Sequence, residues 1–408
     1  MDSGLSTAKE DNIPKGTIST KPQPEKAILV GIEVKRSQNS WSLDDSMAEL
    51  VLLAQTAGVE VVGTVTQRID RPRSSHLIGK GKLEELVALK TELGSDLVIF
   101  DNELTPAQQR NLDRALEVKV LDRTALILDI FARRAQTHEG RLQVELAQHE
   151  YLLPRLAGLW PHLERLGGGI GTRGPGEKQL ESDRRIIERR ISHLKGEIEG
   201  VRRHRARYRR HRASTGIPVV ALVGYTNAGK STLFNALSRS EVFVEDKLFT
   251  TLDTTTRRVA LPNNQEVLLS DTVGFIQKLP PTLVASFKAT LEELSEADIL
   301  LHVVDITHAN AAEQAQTVDN LLEELGLADK PKIIAMNKID LLAHEIGLGG
   351  EDAVDYYAER MGDNIGRVIP ISAAKSWGMK RLLALVAAVL NEGMVNIAVN
   401  VPYSAAER

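Results

Sequence analysis

Residues 217 to 237 read IPVVALVGYTNAGKSTLFNAL. An apolar, β-branched run ends at Gly224, and good helix formers follow Ser231. Between them lies GYTNAGKS, residues 224–231, which matches G-x-x-x-x-G-K-[ST]. A strand running through a Gly-rich loop into a helix is the context in which this spacing binds phosphate. The glycines let backbone N–H groups wrap the phosphates, and the helix N-terminus adds positive potential. Lys230 is expected to reach the β- and γ-phosphates and Ser231 to ligate Mg²⁺. The contacting loop is therefore Gly224, Tyr225, Thr226, Asn227, Ala228, Gly229, Lys230, Ser231 and Thr232. A doubly wound α/β layer is implied around it.

Working outward, further polar signals sit at the ends of apolar runs. DTVG, 271–274, follows VLLS. Asp271 is expected to hold Mg²⁺, Thr272 and Val273 to line the site, and the Gly274 N–H to approach the γ-phosphate. NKID, 337–340, follows IIAM. A carboxylate accepts both the N1–H and the exocyclic N2–H₂ of guanine, donors that adenine lacks, so Asp340 is the base selector. Asn337 steadies the loop and Lys338 flanks the base. Ser372, Ala373 and Ala374 of SAAK form the last base-contacting loop. This order of motifs resembles the translation-factor-related class of P-loop GTPases. In KLFTTLDTTTRRV, 247–259, Phe249 and Thr250 are assigned to the nucleotide site. Thr251 is assigned as the residue that completes the Mg²⁺ shell, with Thr250 and Thr255 as alternatives.

Many GTPases place a water-orienting Gln after the DxxG glycine. Here the residue is Phe275, which cannot orient water, so slow intrinsic hydrolysis and an external activating element are expected. In related GTPases an Asn at the position of Asn227 helps hold a K⁺ ion; the competing reading is that Asn227 shapes the loop. Lys230, Thr251, Gly274 and Asn227 form the catalytic set.

Upstream, AILVGIEV, VEVVGTVTQ, SDLVIF and VKVLD read as strands alternating with amphipathic helices. One helix, TPAQQRNLDRALE, opens on a Thr cap with Pro at its first position. A parallel α/β domain is expected over 26–130, behind a disordered tail, 1–25. From 131 to 213 the pattern is helical. Leu142, Leu146, His149 and Leu153 share one helix face. Leu180, Ile187, Leu194, Val201 and Tyr208 recur every seventh residue, with Ile191 and Ile198 between them. An antiparallel helical hairpin with a Gly-rich tip, 157–177, is the simplest arrangement. Its second arm reaches on the order of 45 Å at about 1.5 Å per residue. The GTPase layer follows over 214–392. At 393–408 a short or truncated further domain begins with an alternating strand.

The tip holds Gly169, Gly171 and Gly174 in the dinucleotide spacing G-x-G-x-x-G, but no strand precedes them. Pro175 is also expected to interrupt a helix start there. The formal net charge is −4, yet residues 184–212 hold 12 Lys/Arg against 3 Glu. So basic a segment points to an anionic partner, and RNA phosphate fits it; the competing reading is a solvated helix face. The phosphate contacts assigned are Arg165, Arg173, Lys178, Arg202, Arg203, Arg205, Arg207, Arg209, Arg210 and Arg212. With no cysteine, disulfides and thiolate metal sites are excluded. No apolar run reaches the ~18 residues of a membrane span. A cytoplasmic location is expected, with partial membrane association as an alternative.

LGGGIGTRGPGEKQLE (166–181), FTTLDTTTRR (249–258), DTVGFIQKLP (271–280), LVASFKATLEE (283–293) and HLIGKGKLEEL (76–86) together resemble the HflX family of ribosome-associated GTPases, within the Obg–HflX group. Thr254 departs from the Pro frequent in that family. The resemblance implies GTP hydrolysis to GDP and phosphate, stimulated by the ribosome, and binding to the large ribosomal subunit and its rRNA. It further implies splitting or rescue of stalled ribosomes under stress such as heat, by a chain monomeric off the ribosome. Ribosome assembly and a nucleotide-switched, non-catalytic RNA-binding scaffold are the rival readings.

Overall fold

The structure is a computed structural model of the 408-residue chain. It describes residues 24–35, 41–158, 175–213, 216–238, 248–249, 255–279, 294–361 and 366–392; in the long helix that opens at 175, side chains are described over 181–204. Thr250, Thr251, Arg165, Arg173 and the tip glycines lie outside the described residues. So do the N-terminal tail to residue 23, the 393–408 strand, and the side chains of Lys178, Arg205, Arg207, Arg209, Arg210 and Arg212.

The N-terminal layer alternates strand and helix. Its elements are β1 Lys26–Val34, α1 Leu43–Thr56, β2 Glu60–Ile69, α2 Lys80–Leu93, β3 Leu97–Phe100, α3 Pro106–Leu116, β4 Lys119–Asp122 and α4 Arg123–Arg134. The sheet order is β2-β1-β3-β4 and every pair is parallel. Local chemistry sets the helix starts. Thr105 and Gln108 form a capping box with Pro106 behind the cap, and the Ser42 hydroxyl accepts from the Asp45 N–H. Both sheet faces are apolar because both are covered. Ile28, Val30, Val98 and Phe100 pack toward Leu86 and Leu112, while Leu29 and Ile99 pack toward Leu50, Ile127 and Phe131.

Two helices follow, α5 His138–Leu152 and α6 Pro175–Ala213. They pack on each other through Leu142, Leu146, Ile191 and Leu194, with Leu153, Ile187, Ile198 and Val201 at the margin. Pro175 does not interrupt a helix; it opens one. Proline fits the first position because its fixed φ is already helical and the missing N–H had no helical partner to lose. The helix therefore starts inside the stretch expected to form the tip, and its 39 residues span roughly 58 Å at about 1.5 Å per residue.

The C-terminal layer contains β5 Val219–Gly224, α7 Lys230–Ser238, β6 Thr255–Ala260, β7 Glu266–Asp271, β8 Ile299–Asp305, α8 Ala311–Glu324, β9 Lys332–Asn337, α9 Ile339–Glu345, α10 Gly350–Met361, β10 Val368–Pro370 and α11 Met379–Asn391. Its sheet order is β10-β9-β8-β5-β7-β6. The strand β6 is antiparallel to β7 and was not among the strands read from sequence. Its TTRRVA carries two adjacent arginines, which suit an edge strand and blur the apolar signal. One apolar cluster is continuous across both α/β layers. It joins Leu50, Ile127 and Phe131 to Ala221, Val223, Phe249 and Phe275. No helix among the described residues is long and apolar enough to cross a membrane.

Candidate GTP site

The apolar strand β5 buries the residues that deliver the loop, and the loop emerges at its carboxyl end. Gly229 adopts φ 95°, and a Cβ there would collide with the Asn337 side-chain amide, so only glycine closes this turn. Lys230 is buried, and its ammonium donates to the carbonyls of Gly224 (3.0 Å) and Tyr225 (2.8 Å). Burial pushes its pKa down to about 8, against the pull of Asp271. A cation held this way, with no carboxylate hydrogen-bonded to it among the described contacts, suits a phosphate ligand.

The Ser231 hydroxyl donates to Asp271 Oδ2 at 2.9 Å. This buried hydroxyl–carboxylate pair, beside the loop lysine, is a hard-oxygen donor set of the kind that takes Mg²⁺. Thr255 lies opposite Asp271 in the sheet register, at the head of β6.

Gly274 comes within contact range of the loop. The chain then returns beside it, with Thr226 N–H donating to the Phe275 carbonyl (2.6 Å) and Phe275 N–H to the Gly224 carbonyl (3.1 Å). The Phe275 ring is buried in the shared apolar core.

At the base end, Ser372 Oγ donates to Asp340 Oδ1 at 2.6 Å. The Asn337 side chain donates to the Ala228 carbonyl (2.8 Å) and accepts from the Ala373 N–H (2.9 Å). Lys338, at φ 69°, pairs with Asp305 at 2.7 Å. Ala374 is exposed. The four loops assigned from sequence thus converge on one rim of the sheet.

Several assigned residues turn their side chains elsewhere. The Thr272 hydroxyl is spent on the Leu222 carbonyl at 2.5 Å. The Phe249 ring packs edge-on against Phe131 of α4, 4.6 Å between centroids, while its N–H donates to the Thr226 hydroxyl. The Tyr225 ring stacks on Trp41, and its hydroxyl donates to Glu49 in α1. The side chains of these three are thus engaged by other parts of the chain. The apolar interface between the layers claims the Phe249 and Tyr225 rings. Asn227 is exposed in the left-handed region, φ 61°. Glu49 was missed altogether, because nothing at residue 49 signals a contact 176 residues downstream.

Known proteins resemble this chain over most of its length. Family models match along the chain: "GTP-binding GTPase N-terminal" over 44–132, "GTP-binding GTPase Middle Region" over 134–212, "50S ribosome-binding GTPase" over 219–338 and "Elongation factor Tu GTP binding domain" over 285–392. GTPase HflX of Alkalihalophilus pseudofirmus is 54% identical over 316 residues, covering 78% of this chain and 74% of the relative. The chain belongs to the HflX family. GTPase HflX of Escherichia coli is 46% identical over 78% of this chain and 74% of the relative. GTPase HflX of Magnetococcus marinus is 44% identical over 95% and 87%. Among solved structures, a GTP-binding protein from Sulfolobus solfataricus in complex with GDP aligns over 90% of this chain and 99% of that one, at 26% identity and TM-score 0.44. As an HflX-family P-loop GTPase, the chain binds GTP and hydrolyses it.

Proposed function

We propose that this HflX-family GTPase works on the large ribosomal subunit, splitting or rescuing stalled ribosomes under stress. The observation that carries the reading is a juxtaposition. The 39-residue basic helix α6 ends at Ala213, and the strand that delivers the P-loop begins at Val219. An arm docked on rRNA is thereby joined to the nucleotide loop by a very short connection. The matching family model described as a 50S ribosome-binding GTPase supports the same partner. Along the described part of α6, Arg184, Arg185, Arg190 and Lys195 are paired with glutamates. Arg190 and Lys195 reach across to Glu145 and Glu150 of α5. Phosphate contact is assigned to the basic run from Arg202 and Arg203 through Arg205, Arg207, Arg209, Arg210 and Arg212, with Arg165, Arg173 and Lys178 near the tip.

At the nucleotide, Lys230 neutralises β- and γ-phosphate charge, the Gly274 N–H faces the γ-phosphate, and Asp340 accepts from guanine. Asn337 holds the loops together. Ser231 and Asp271, with Thr251, are the residues that would hold Mg²⁺, which when bound neutralises charge on the transferring phosphoryl group. Phe275 offers no hydrogen bond to an attacking water, so the partner supplies what accelerates hydrolysis. Asn227 is assigned to a K⁺ ion; hydrolysis rates equal in K⁺ and Na⁺ buffers, with the ribosome present, would refute that assignment.

Gradient sedimentation with a non-hydrolysable GTP analogue tests the function. Co-migration with the large subunit and loss of intact ribosomes is expected, weakening as salt rises. Co-migration with immature subunits alone would favour a role in assembly, and no co-migration would overturn the ribosomal reading.

A further inference from the structure

The strand order β2-β1-β3-β4 reverses between β1 and β3, and in open α/β sheets ligands settle in the crevice beyond the strand ends at such a point. Here protein side chains from both layers reach toward it. Asp101, directly after β3, is buried. One of its oxygens accepts from Arg123 Nε at 3.0 Å; the other accepts from Ser46 Oγ at 2.8 Å and pairs with the Lys278 ammonium. Lys278 belongs to the GTPase layer, four residues beyond Gly274. Arg123 is 2% exposed; it also pairs with Glu49 at 2.6 Å and donates to the carbonyls of Gln277 (3.3 Å) and Ser46 (3.2 Å). The Glu49 carboxylate accepts the Tyr225 hydroxyl, and that hydroxyl accepts the Gln277 N–H at 2.7 Å.

Burial alone would raise the Asp101 carboxyl, but Arg123 and Lys278 hold it below the usual carboxylate range. Burial and the Glu49 carboxylate push the Tyr225 phenol far above its ordinary value, so it remains a donor. Four charged side chains thus meet at this junction, three of them buried and Lys278 partly exposed. Replacing such buried clusters by apolar residues is commonly neutral or stabilising, so cohesion of the two layers is a poor account of this one. What the cluster does fix is position. Tyr225 is a P-loop residue whose carbonyl accepts the Lys230 ammonium at 2.8 Å, and its hydroxyl meets the backbone just behind Gly274.

We propose that Glu49, aligned by Arg123, is a positioning residue for the GTP site. It acts through the Tyr225 hydroxyl on both the P-loop and the segment after DTVG, while Lys278 latches that segment into the N-terminal layer. The N-terminal layer thereby registers where the nucleotide-sensing segment stands. The inference rests on the reading of Gly224–Ser231 and Asp271–Gly274 as the GTP site.

The test uses the full chain and three variants: Tyr225→Phe, Glu49→Gln and the double. Tyr225→Phe deletes one oxygen and keeps the ring on Trp41, so the fold is retained. Release of fluorescent GDP is followed by stopped flow, with kcat and KM for GTP and the thermal midpoint measured beside it. Tyr225→Phe is expected to release GDP about tenfold faster, the scale of one charge-assisted hydrogen bond. It should add less in the Glu49→Gln background than in the parent chain, because both changes weaken the same charge-assisted link. A lowered thermal midpoint with unchanged GDP release and kcat would overturn the proposal, as would independent, additive effects. Wild-type chain that binds no GDP would instead refute the site reading beneath it.

Discussion

The side-chain amide of Asn337 donates to the carbonyl of Ala228 at 2.8 Å, tying together two loops 109 residues apart. The same buried side chain accepts the Ala373 N–H at 2.9 Å. One residue thus links the loop at the P-loop helix, the NKID turn and the SAAK turn. Asn337→Ala strips partners from two buried backbone groups, which should destabilise the nucleotide-free chain by about 2 kcal/mol. Urea unfolding should show a lower midpoint at unchanged slope. An unchanged midpoint would mean that the loops are held by something else.

Gly274 admits no side chain. A Cβ there would sit 2.8 Å from Thr226 Cα and 3.1 Å from Lys230 Nζ. The first neighbour is backbone and cannot swing away. Gly274→Ala should therefore push DTVG off the P-loop, at about 1–3 kcal/mol for overpacking. GTP-analogue affinity should fall by roughly tenfold to a hundredfold, while GDP, which lacks the γ-phosphate, loses less. Titration with fluorescent GDP and GTP analogues separates the two, and equal losses would argue against Gly274 as the γ-phosphate contact.

Much of this was legible in the sequence because the signals are local. Gly229, Lys230 and Ser231 announce their loop through spacing alone, and Thr105 with Pro106 announces a helix start. The heptad of Ile187, Leu194 and Val201 places a seam that does pack on Leu142 and Leu146. Elsewhere the sequence misled, since Pro175 reads as a break when it is a first helical residue. What was not legible is long-range. Arg123 looks like any charged residue beginning a helix, yet it is one of the largest fully buried side chains, between Glu49 and Asp101. Tyr225 sits inside a motif that predicts its backbone but says nothing about its ring. Partners 22, 74 and 176 residues away leave no local pattern.

Asp340 carries the base preference in this reading, and the Ser372 hydroxyl at 2.6 Å orients its carboxylate. Asp340→Asn keeps the shape but replaces one acceptor oxygen with a donor. Guanine affinity should drop by about tenfold to a hundredfold, the value of hydrogen bonds to a charged group. Xanthine nucleotides, whose C2 carbonyl needs a donor, should bind better to the variant than to the parent chain. Competition of GTP and XTP against a fluorescent nucleotide measures both effects. Retained preference for GTP would remove Asp340 from the role.

His302 gives the chain an acid limit. It lies buried in the central strand β8, with Nδ1 3.6 Å from Asp319, but Asp319 is already paired with Lys332 at 2.8 Å. Burial, reinforced by Lys332 and Lys230 and opposed by Asp319, lowers its pKa from 6.5 to about 4. The folded chain therefore keeps His302 neutral where the unfolded chain takes up a proton. Because the unfolded state binds more protons between pH 6.5 and about 4, stability must fall as pH falls through that window. The contribution is fully present above the unfolded value and lost below the folded one. The gap between 6.5 and about 4 corresponds to roughly 3 kcal/mol. Urea midpoints measured from pH 7 to pH 4 on the parent chain and on His302→Gln should diverge by about that amount, the parent losing more. If the two curves run parallel, His302 is not the buried proton acceptor that limits the fold in acid.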